Sequence, residues 1–212
     1  MNYHLTINIA HCKIISKAIH LLKMIYKGDL AFVFTLLDEN QKTLEPEYPD
    51  FLEKTSLVKD RLKSIESKYI HKYISMLLIG ERGFSLSAVK KKFIDAGLTI
   101  KLKQYDRYEI IVSQNDLDII IDACELYCNL QCGKFTEIFY KFSEVKKYPD
   151  ELLNELEDLK LSWYNLNVSD SNINRKSKWC YDIVQTLKYK DKNQRLIGTL
   201  PRIKIQDEKI QT

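Results

Sequence analysis

The stretch that decides the fold is YEIIVSQNDLDIIIDACELYCNLQCGKF, residues 108–135. Tyr108 to Ser113 alternates apolar and polar positions as a strand does, and Leu117, Ile120, Ala123 and Leu126 follow at helical spacing. Gly133 stands where a helix C-terminus favours a residue free to take a positive φ, and a second helix is expected from Lys134 to Phe142. Near the N-terminus the same order recurs. Tyr3 to Asn8 reads as a strand, Asn8 as a helix cap, Ile14 to Ile25 as an amphipathic helix, Gly28 as its stop and Asp29 to Leu37 as a second helix.

The two stretches align at an offset of 105 residues. Tyr3 then falls on Tyr108, Ile14 and Ile15 on Ile119 and Ile120, Ala18 on Ala123, Leu21 on Leu126, Gly28 on Gly133 and Phe34 on Phe139. These are the apolar face and the stop, the positions that specify a hairpin. Further matches follow in order. Tyr48-Pro49-Asp50 corresponds to Tyr148-Pro149-Asp150, a sound helix start. Ser67-Lys68-Tyr69 corresponds to Ser177-Lys178-Trp179, and the strand-like Thr99–Leu102 to Arg202–Ile205. The expectation is a helix-rich α+β fold, a tandem duplication of a β-α-α-α-α-β unit, with a small sheet covered by helices on one face. The first repeat spans 1–105 and the second 106–212, ending in a short frayed tail from 206. The copies differ most where the first adds a helix-like stretch, Ser85 to Ala96, and the second a polar loop, Asn165 to Lys176. A fused pair of this kind forms clefts lined by both copies, the first place to expect a ligand.

Composition narrows the function classes. The 212 residues are 45% hydrophobic and 29% charged, ordinary for a globular chain, and the net charge of +4 is modest. The first 105 residues hold 17 Lys and Arg against 11 Asp and Glu, the remainder 16 against 18. This falls short of the basic stripe of a dedicated nucleic-acid binder. No apolar run approaches the ~20 residues of a membrane span, and no basic segment leads into an apolar one at the start, so a soluble protein without a signal peptide is expected. Five cysteines suggest reduced thiols in a cytosolic compartment.

No catalytic motif stands out. Cys124, Cys128 and Cys132 recur every four residues along one side of a helix, a spacing that suits packing better than a zinc site, whose ligands come from separate elements. His11 and Cys12 are helical neighbours about 100° apart and do not face one another. Asp116 with Asp118, and Glu155 with Glu157, read as helix-surface carboxylates, and Lys90 to Lys92 as a solvated face. Lys134 could help an anion at a helix N-terminus, where Asp29 of the other copy would oppose one. No cofactor, metal or catalytic residue is expected.

The strongest binding signal is cationic and aromatic. Arg175, Lys176, Lys178, Trp179 and Tyr181 cluster at one expected helix start, with Ser177 as its cap, and Lys68, Tyr69 and Lys72 do the same in the other copy. Cations beside an aromatic ring suit a nucleotide, through base stacking and phosphate pairing.

Leu126-Tyr127-x5-Gly133-x-Phe135-x-Glu137-Ile138, with Lys178-Trp179-x-Tyr181-Asp182-Ile183-Val184 downstream, resembles a family of small, single-unit accessory proteins encoded by tailed bacteriophages. The likeness covers about 108–205 and, weakly, 3–78. The first copy departs from it at Leu21-Leu22 and Asp29. The resemblance implies an accessory binding protein, not an enzyme, that inhibits a host anti-phage defence factor. Its partner would be a host defence protein or a sequestered small nucleotide signal, met in the host cytoplasm. Nucleic acid is the less favoured partner, an enzyme with a dispersed site is the other alternative, and homo-oligomerisation stays open.

Overall fold

The computed structural model describes residues 1–26, 31, 33–35, 56, 59–61, 63–64, 88–95, 107–131, 134, 137, 154, 158, 175–189 and 203–207. They form a helix-rich α+β protein with a three-stranded antiparallel sheet. The elements are β1 (Asn2–Ile7), α1 (Ile9–Tyr26), β2 (Tyr108–Ser113), α2 (Gln114–Gln131), α3 (Arg175–Tyr189) and β3 (Lys204–Asp207). Residues 88–95 are also helical, within the stretch expected to add a helix to the first copy.

β1 lies between β2 and β3. Its alternation is what a half-buried strand requires: Tyr3, Leu5 and Ile7 are buried, while Asn2, His4 and Thr6 lie on the more open face. Register follows from that pattern, because slipping one residue would turn the apolar set to water. Tyr3 pairs with Val112, Leu5 with Ile110 and Ile7 with Tyr108, so the apolar faces coincide. On the other side Leu5 pairs with Ile205 and Tyr3 with Asp207. β3 therefore runs two residues beyond the expected Arg202–Ile205, and Gln206 and Asp207 belong to the sheet instead of a frayed tail. Pairing with the buried central strand holds them.

Both strands pass into 18-residue helices through a reciprocal side-chain cap. Asn8 Oδ1 accepts the His11 backbone N–H at 3.0 Å, and Asn8 N–H donates to His11 Nδ1 at 3.0 Å. At the second junction Ser113 Oγ accepts the Asp116 N–H at 3.2 Å, and Ser113 N–H donates to Asp116 Oδ2 at 3.0 Å. Each cap satisfies two backbone donors that a helix start otherwise leaves without partners. The helices begin at residues 9 and 114 and end at 26 and 131, the same offset of 105 at both ends.

Their buried faces correspond as well. Cys12, Ile15, Ala18, Ile19, Leu21, Leu22 and Ile25 are buried on α1, and Leu117, Ile120, Ala123, Cys124, Leu126, Tyr127 and Leu130 on α2. Each large apolar side chain withdrawn from water contributes roughly 1.5–3 kcal/mol, so these faces supply much of the folding free energy.

The chain divides into two compact units. One comprises Met1–His20, Glu81–Tyr127 and Arg175–Thr212, and holds the sheet, residues 88–95 and α3. On α3 the buried side chains include Ser177, Cys180, Val184 and Leu187, a stripe at helical spacing. The second unit comprises Leu21–Gly80 and Cys128–Asn174. In it Val33 is buried and Lys63 Nζ lies 5.9 Å from the Phe34 ring centroid. Both units draw on sequence from either side of residue 105.

Candidate ligand-binding site

The candidate site is the first two turns of α3. Its buried stripe fixes which way the helix faces and leaves Arg175 exposed, with Lys176, Lys178, Trp179 and Tyr181 half-buried. The Arg175 guanidinium carbon lies 4.7 Å from the Trp179 ring centroid, a cation–π pair at i,i+4. Lys176 is three residues before Trp179 and Lys178 three after Arg175, spacings that put each pair on one side of the helix. Tyr181 does not join them: two residues on is about 200° around the helix. Of the expected cluster, the structure brings Arg175 against the Trp179 ring, with Tyr181 on another side of the helix. The other half of the predicted site, Lys68, Tyr69 and Lys72, lies outside the described residues.

Two expectations at this helix are corrected. The polar loop expected to continue to Lys176 ends sooner, because Arg175 and Lys176 are already helical. Ser177 is consequently the third helical residue and not the cap, and it is wholly buried. Among the described residues its Oγ has no hydrogen-bond partner. The first turn contains no acidic residue, whereas the helix dipole favours negative charge there.

The other candidates take less chemical roles. Asp116, read from sequence as a surface carboxylate, is buried and ion-paired to Lys92 Nζ at 2.5 Å. Lys92 therefore does not belong to a merely solvated face. Asp118 is exposed and accepts from Gln114 Nε2 at 2.7 Å. His11 is buried and serves the Asn8 cap. Sequence spacing held both signals: Asn8-x-x-His11 and Ser113-x-x-Asp116 are capping-box spacings, with His and Asp in place of the usual Glu or Gln.

Cys12, Cys124 and Cys180 are buried and Cys128 is half-buried, none of the four in a disulfide, while Cys132 lies outside the described residues. Burial pushes the Cys12 thiol up to about 11, against a smaller opposing effect from a backbone hydrogen bond. It is thus neutral near pH 7. Lys134 donates to its own helix end, Nζ lying 3.4 Å from Asn129 Oδ1 and its backbone N–H 3.0 Å from the Asn129 carbonyl. Among the described residues no group of three or more His, Cys, Asp or Glu side chains could hold a metal ion, and no helix is long and apolar enough to cross a membrane.

Fold and candidate site together describe an α+β protein with an Arg175–Trp179 cation–π pair on α3. No family model, curated protein or solved structure matches the chain.

Proposed function

We propose that this chain is a binding protein without catalytic activity, encoded by a bacteriophage and directed against a host defence factor. The observation that carries the reading is the Arg175–Trp179 cation–π pair, on a helix whose first turn also contains Lys176 and Lys178. A guanidinium held over an indole places positive charge beside a flat aromatic ring. Such a surface suits a planar anionic group, so a small nucleotide signal is the favoured ligand and an acidic patch on a host protein the alternative. The phage assignment rests on the sequence resemblance.

The same reading takes residues 1–105 and 106–212 as two copies of one β-α-α-α-α-β unit. Three observations support it. The helices α1 and α2 share both ends at an offset of 105, and their caps fall at 8 and 113 and at 11 and 116. The sheet register is the third. Leu5 pairs with Ile110, and these residues too are 105 apart. A twofold axis relating two copies of an antiparallel strand must pass where equivalent residues meet, and the offset taken from the helices puts that point within the observed ladder.

Mass spectrometry of small molecules released by heating the full chain tests the function. The chain is purified from bacteria with active nucleotide-signalling defences. A stoichiometric nucleotide, lost from an Arg175→Gln, Lys178→Gln variant of unchanged melting temperature, supports sequestration. Release of no ligand turns the reading to a host protein, sought by pull-down. Absence of both overturns it.

A further inference from the structure

We draw no further inference here: the strongest candidate, the open face of the sheet where Ile111 of β2 stands exposed opposite His4 of β1, is a surface patch for which nothing in the structure shows what covers it.

Discussion

Lys92 Nζ meets Asp116 Oδ2 at 2.5 Å, linking the helical run 88–95 to the first turn of α2 across 24 residues of sequence. Asp116 also accepts the Ser113 N–H, so one carboxylate serves an ion pair and a helix cap together. Lys92 keeps its side chain 44% exposed, whereas that of Asp116 is only 11% exposed. Removing the acid therefore leaves a cation that water can still solvate, and the main loss is the cap. Asp116→Ala should cost about 1–2 kcal/mol in urea unfolding, and Lys92→Gln less.

The same carboxylate makes stability depend on acid. Burial pushes its pKa up, but the Lys92 ammonium and the Ser113 N–H and hydroxyl outweigh this and hold it below the ordinary value of 3.8. A carboxyl depressed in the folded state adds stability that is full above its unfolded pKa and fades as pH falls through the folded one. Wild type should therefore lose more stability than Asp116→Asn between neutral pH and the acid range below 3.8. Equal losses in pH-dependent denaturation curves would exclude that role.

At the centre of the sheet, Leu5 is fully buried and lies between Ile110 and Ile205, while Ile111 on the opposite face is 51% exposed. Leu5→Ala should cost about 2–5 kcal/mol, and Ile111→Thr should stay within about 0.5 kcal/mol of wild type. Comparable costs at the two positions would indicate a different register.

The Asn8–His11 cap is a reciprocal pair, and its two substitutions should not add. Asn8→Ala should cost about 1 kcal/mol, and a cycle with His11→Ala should show coupling of at least about 0.5 kcal/mol. Additive losses would mean that the imidazole bond contributes nothing.

Cys12 should resist alkylation in the native state at pH 8, because its thiol is buried and raised to about 11. Peptide mapping after iodoacetamide treatment should find it modified only in denaturant. Rapid native labelling of Cys12 would show that this helix face opens to solvent.

Local signals carried far in this chain. Alternation marked β1 and β2, 3.6-residue spacing marked α1, α2 and the buried side of α3, and Asn8 announced its cap, because each depends on neighbours within a few residues. The stretch around 88–95 was legible for the same reason. The correspondence between the two strand–helix segments was visible too, since apolar faces and turn residues are written directly in the order of residues. Of the candidate site, the residue types at 175–181 were evident but their arrangement was not. Helical geometry puts Lys176 and Arg175 on the Trp179 side and sets Tyr181 aside once the helix is known to begin at Arg175.

What only the tertiary structure decided involves partners distant in the chain. Leu5 opposite Ile110, β1 in the centre, and Gln206 and Asp207 recruited to the sheet all follow from strand register, which is set by matching buried faces across more than a hundred residues. Asp116 reads as a surface acid until a lysine from another segment meets it, and Ser177 reads as a cap until its helix starts two residues earlier and buries it. Periodicity states which side of a helix or strand is apolar. Packing alone chooses what lies against that side, and with it which polar groups are enclosed.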